Sequence, residues 1–142
     1  MPILAAFDPA IRHFPVAPSS ERIPWRKTAL KPGSDRAKRL CELAVHVTAA
    51  AFAVPISELV APSRRSAYIA FARQSAMYLA HVRCGLSFSE VGSVFGRDRT
   101  TAAHACRLVE DRRDDPTIDD FLASLEDAFC MLCCCLIVSV RP

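Results

Sequence analysis

Only four glycines occur in the 142 residues, and three of them, Gly85, Gly92 and Gly96, fall within twelve positions. A chain so poor in glycine has few places where it can turn tightly, so its sharpest changes of direction concentrate in that short stretch. On either side of it apolar residues recur at helical intervals, and no segment alternates with period two. The expected fold class is all-α, with about five to six helices. Half of the residues are hydrophobic, enough for one modest core.

The pattern places the helices. From Ser34, SDRAKRLCELAVHVTAAAF sets Leu40, Leu43, Ala44, Val47 and Ala51 on one face, with Ser34 or Asp35 as N-cap and Pro55 as the stop. VPISELV reads as one short helical turn, and APSRRS as a basic loop. A second long helix, Ser66 to Arg83, repeats Ile69, Ala72, Ala76, Leu79 and Ala80 and is apolar at nearly every other position, so it is expected to be central; Tyr68 and Met77 read as core residues. Ser87 with Glu90 forms a capping box that opens a short helix through Phe95, and Gly96 can close it in the left-handed conformation. The next helix starts near Arg97 or Asp98 and runs to about Arg113. Its stripe of Ala102, Ala105, Cys106 and Val109 faces inward, and Thr100, His104 and Arg107 face outward. Asp115 as N-cap and Pro116 as first residue open a last helix with Ile118, Leu122, Leu125 and Phe129 on its apolar stripe.

Residues 1–33 hold six of the ten prolines and the lone Trp25, and are expected to form an extended or disordered arm. A helical domain follows at 34–129, and a Cys-rich apolar tail at 130–142. Charge divides along the same lines: residues 61–113 carry 9 Lys/Arg against 4 Asp/Glu, whereas residues 114–142 carry 1 against 6. A basic middle segment attracts polyanions, and an acidic flank limits where they can lie. The seven cysteines show no regular framework, there is no basic region followed by a long apolar stretch at the start, and the uncharged run Ala128 to Val140 is 13 residues, short of a membrane span. The expectation is a cytoplasmic, nucleoid-associated protein with reduced thiols and no membrane partner.

A short capped helix, a glycine turn and a helix with a polar first turn make a helix-turn-helix, here at about 87–113, whose second helix enters the DNA major groove by its N-terminal end. Arg97 and Arg99 can pair with phosphate or with the O6/N7 edge of guanine. Asp98 can accept from a cytosine or adenine amino group, and threonine can donate to phosphate or touch a thymine methyl.

The order Gly96-Arg97-Asp98-Arg99-Thr100-Thr101, then His104-Ala105-Cys106-Arg107, resembles the signature of the C-terminal DNA-binding domain of the bacterial replication initiator DnaA. Upstream, RRSAYIAFARQSAMYLA and LSFSEVGSVFG are similar to that family's basic loop, its Arg-Gln helix and its capped short helix. The similarity runs from about Val54 to Phe129, roughly half the chain. It implies a Trp-repressor-like fold, with Arg65 in the minor groove and Asp98, Thr100 and Thr101 at bases or adjacent phosphates in the major groove. Arg73, Gln74 and His104 would meet the phosphate backbone. Two departures stand out: one glycine of the usual pair before Arg97 is missing, and Arg99 replaces a histidine. Arginine there alters donor geometry and charge, so the family's target sequence does not transfer.

The initiator family also needs an ATPase module, and no G-x-x-x-x-G-K-[ST] occurs in these residues. The expected function is sequence-specific binding of double-stranded DNA by a freestanding transcriptional regulator, with no catalysis, nucleotide, metal or other cofactor. A modulator of replication that occupies initiator-type sites is the alternative within that class, and homodimerisation stays open. From another class, the tail could form a protein-interaction or metal-binding module, since His81 and Cys84, and Cys130 and Cys133, have ligand-like spacing.

Overall fold

Among the described residues three helix ends fall at or beside a residue in the left-handed conformation: Ala53, Gly85 and Gly96. The structure, a computed structural model, describes residues 34–61 and 66–139. The arm with Trp25, and Arg64 and Arg65 of the basic loop, lie outside the described residues. Six helices follow in order: α1 (Ser34–Phe52), α2 (Ile56–Val60), α3 (Ala67–Cys84), α4 (Phe88–Val94), α5 (Arg99–Arg112) and α6 (Pro116–Ser139). No strand occurs among the described residues, and the fold is all-α.

At the end of α1, Ala53 takes φ 54° and the Val54 N–H donates to the Ala49 carbonyl at 3.0 Å. Glycine is the usual residue at such a position; alanine there costs about 1–2 kcal/mol, which the burial of Val54 helps to offset. Pro55 then opens α2.

The deeply buried face of α1 is offset from the one its leucines suggest. Ala37, Cys41, Ala44, Thr48, Ala49 and Phe52 are buried, while Leu40, Leu43, Val47 and Ala51 only flank the core. The reason lies in the partner helix. α1 packs on α3, whose Ala72, Ser75, Ala76 and Ala80 are buried as well, and helix axes approach more closely when both contact faces carry small side chains. α3 is central, as its composition predicts, and ends at Gly85 with φ 68°.

Phe52 organises the larger side chains. Its ring meets Phe71 edge-on at 5.6 Å and Phe121 edge-on at 5.1 Å, and its carbonyl accepts from the Tyr68 hydroxyl at 2.5 Å. Aromatic pairs of this geometry add to the burial free energy of each ring. α1, α3 and α6 are thereby joined at one end.

At α6, Asp115 Oδ1 accepts from the Thr117 N–H at 2.9 Å, the cap expected there. Leu122, Leu125 and Phe129 are buried and Ile118 is half-buried. The helix continues past Phe129 with Cys133 buried, so the division drawn after residue 129 falls inside one element.

One polar feature was not foreseen. Glu126, 5% exposed, receives Arg83 on Oε2 and Arg113 on Oε1, and Arg113 Nε also reaches Asp119 at 2.5 Å. Arg113 further donates to the Tyr78 hydroxyl, which donates to Glu110 at 2.8 Å. Two arginines of the basic middle segment are thus neutralised by the acidic flank inside the fold.

Candidate nucleic-acid interface

The helix-turn-helix is built from local backbone chemistry. At the start of α4 the Ser87 N–H donates to Glu90 Oε2 at 2.8 Å, and the Glu90 N–H donates to Ser87 Oγ at 3.1 Å, completing the capping box. Gly96 has φ 64° and its N–H donates to the Ser93 carbonyl. Phe95, where the resembled family has another glycine, sits at φ −81° and ψ 2°. Only Gly96 needs the left-handed region, which is why the loss of one glycine is tolerated.

The turn closes through the Arg97 N–H, which donates to the Gly92 carbonyl at 2.7 Å. Asp98 is then extended, with ψ 166°, and caps α5, its Oδ1 accepting from the Thr101 N–H at 2.6 Å. That places the first helical residue at Arg99. The hydrogen bonds from Thr101 hold the Asp98 carboxyl below the usual carboxylate range, and the Thr100 N–H contributes to a lesser extent.

Along α5, Ala102, Ala105, Cys106 and Val109 are buried, and Asp98, Arg99, Thr100, Thr101, His104 and Arg107 are exposed. The inward stripe is alanine-rich because α5 lies against α3 and α4. The outward face therefore presents one anion, two guanidiniums, two hydroxyls and an imidazole from a rigid element. Beside it, Arg73 and Gln74 of α3 converge with Arg97, Thr101 and His104 on one cleft of about 310 Å³. The structure thus brings together sequence-predicted residues from two helices and the turn. Arg107 stands further along α5, and Arg65 lies outside the described residues.

Within the cleft the arginines are engaged. Arg73 is 9% exposed and donates from Nε to the Leu59 carbonyl at 2.7 Å and from Nη2 to the Glu58 carbonyl at 3.1 Å. Arg97 Nη2 donates to the Ala61 carbonyl at 3.3 Å. Sequence reading missed these partners because they are backbone oxygens, which no residue type announces. Away from the cleft, His81 Nδ1 is paired with the Leu86 carbonyl at 2.7 Å and its ring stacks on Phe88 at 4.1 Å, so it braces the turn into α4. Among the described residues no group of three His, Cys, Asp or Glu is placed to hold a metal ion, and no helix is long and apolar enough to cross a membrane.

An exposed polar helix start, set by a capped short helix and a glycine turn within an all-α bundle, defines a helix-turn-helix domain. Residues 41–109 match the family described as bacterial dnaA protein helix-turn-helix. The chain is 46% identical over 71 residues to the chromosomal replication initiator protein DnaA of Acinetobacter baumannii (strain AYE), covering 49% of this chain and 15% of that protein. It is 42% identical over 101 residues to the protein of the same name from Thermomicrobium roseum, covering 67% of this chain and 22% of that protein. The chain therefore spans between about a seventh and a quarter of the length of these relatives, and its helix-turn-helix resembles their C-terminal domain.

Proposed function

We propose that this chain binds double-stranded DNA through α5, with the residues from Asp98 to Thr101 at the major groove and with His104 and Gln74 against the phosphate backbone. The single observation that carries the reading is the outward face of α5. Its hydrogen-bonding side chains are exposed as a set, on a helix whose opposite face is locked to α3 and α4. Exposed donors on a rigid helix suit base edges, and its threonine hydroxyls and guanidiniums suit phosphate. Arg107 extends the contact along the backbone, and Arg65 supplies a minor-groove contact by its place in the sequence.

The role proposed is transcriptional regulation in the bacterial cytoplasm, on the nucleoid, by binding without catalysis or nucleotide. A second reading, occupation of initiator-type sites to modulate replication, is favoured by the relatives being replication initiators by name. Pairing of two copies would supply a second half-site; Met131, 69% exposed, and Leu132 lie on the uncharged stretch of α6 and are the residues to test by sedimentation.

Selection from a random-sequence duplex pool, followed by titration of the enriched duplex at several salt concentrations, tests the function. An enriched sequence and an affinity that falls steeply with salt are expected. No enrichment together with salt-independent affinity would remove the DNA reading. Occupancy mapping across a genome separates promoters from replication origins as targets.

A further inference from the structure

Two arginines at the cleft donate to backbone carbonyls at the end of one short helix. Arg73 is buried on α3 and reaches the carbonyls of Glu58 and Leu59, in the last turn of α2. Arg97, in the turn before α5, reaches the carbonyl of Ala61, the residue that ends α2. The terminal carbonyls of a helix have no partner within it, and α2 is only five residues long. Its end is therefore fastened from two sides, by α3 and by the helix-turn-helix. Turning Arg73 outward to a phosphate would leave the buried Leu59 carbonyl without this donor.

We infer that Arg73 and Arg97 are positioning residues: they fix where the chain stands at Ala61 relative to the first turn of α5, and so the spacing from which two basic elements meet the duplex. Arg64 and Arg65 follow Ala61 within four residues in the sequence, and Arg99 opens α5. Contacts to two grooves hold together only when their supports are fixed to within a fraction of an ångström. Arg73 acts on binding through α2, and its charge is not a counterion-releasing contact. The inference rests on the DNA-binding reading above and adds a division of labour among its arginines.

The test is a salt titration of the full chain on its enriched duplex and on random duplex, for wild type, Arg73→Lys, Arg73→Gln and Arg97→Gln. A positioning role lowers the ratio of specific to random affinity by about tenfold, the worth of one well-made buried hydrogen bond. It leaves the slope of log affinity against log salt unchanged, and Arg73→Lys does not restore the ratio. A phosphate ligand behaves oppositely: the slope falls in magnitude by about 0.9, specific and random DNA lose equally, and lysine restores most of the affinity. That second pattern overturns the inference while leaving DNA binding intact. If circular dichroism shows Arg73→Gln unfolded, Arg97→Gln decides by the same two patterns, because its side chain is only half-buried. A wild type that binds neither duplex overturns the DNA reading and this inference with it.

Discussion

Gly92 lies so close under Arg97 that a Cβ added to it would stand 2.8 Å from the Arg97 carbonyl oxygen and 2.9 Å from that of Asp98. Both neighbours are backbone, so neither can swing aside. Gly92 is helical, and helix preference alone would make alanine about 1 kcal/mol better. The close approach reverses that sign. Gly92→Ala is expected to lose about 1–3 kcal/mol in urea unfolding, the usual cost of overpacking, and to displace the start of α5 so that specific binding falls more than random binding. A variant as stable as wild type would show that α4 and α5 can separate at no cost.

Arg99 is exposed at the first position of α5. Arg99→Ala should relax preference at one base pair of the enriched sequence and weaken that duplex by about 1–3 kcal/mol. Arg99→His restores the residue of the resembled family, and should shift the preferred base at that pair. Competition binding against the four single-pair variants reads both results.

What could be read in advance divides along the range of the interactions involved. The capping box at Ser87 and Glu90, the left-handed Gly96 and the inward stripe of α5 each follow from residues no more than two helical turns apart, and all are present. Ala44 is buried as expected, but the rest of the buried face of α1 is displaced toward Cys41 and Thr48 where α1 packs on α3, and a helix read alone does not reveal its partner. Glu126 sits among Leu122, Leu125 and Phe129 on the inner stripe of α6; a carboxylate in that register was the one available sign of Arg83 on α3 and Arg113 just after α5, both of which reach it. For the candidate site, the exposed set on α5 was legible. The use of Arg73 and Arg97 on carbonyls of α2 was not, since those oxygens belong to every residue alike.

Asp98 gives a pH dependence whose direction is fixed. Its carboxyl ionises more readily in the folded chain than in the unfolded one, because Thr101 donates to the anion. The cap therefore stabilises fully above the ordinary carboxylate value of about 3.9, and its contribution disappears as pH drops through the lower folded value. The melting temperature of Asp98→Ala should lie below that of wild type at pH 7, and the two curves should converge as the solution is acidified below pH ~4.

Glu126 balances two guanidiniums in a site from which water is largely excluded. Glu126→Ala leaves Arg83 and Arg113 facing each other without it, and should cost about 3 kcal/mol of unfolding free energy. Through Arg113 the substitution acts at the C-terminal end of α5, the opposite end from its exposed first turn, so at temperatures where the variant stays folded its base preference should match wild type. Chemical denaturation and a pool selection on the same sample check both statements.

The seven thiols should not react alike. Burial pushes Cys41, Cys84 and Cys133 up to about 12 and Cys106 to about 11, with nearby Glu90 and Glu42 adding to the effect at Cys41 and Glu110 at Cys106. Cys135 is exposed. Iodoacetamide at pH 8 should label Cys135 rapidly and these four slowly, since the thiolate is the nucleophile. Peptide mass mapping reads the order, and addition of denaturant should abolish the difference.

α2 and α4 contain five and seven residues, well short of the 12–15 that an isolated helix needs to hold itself together in water. α2 is held by its packing on α1 and α3, and α4 by its packing on α1, α3 and α5. The helix-turn-helix is consequently not portable: a peptide cut from 87 to 113 would carry every exposed side chain of the turn and of α5 without the packing that sets their geometry. Retargeting is easier than transplanting, because Arg99 and Thr100 can be exchanged on the exposed surface while the alanines beneath them keep the helix in place.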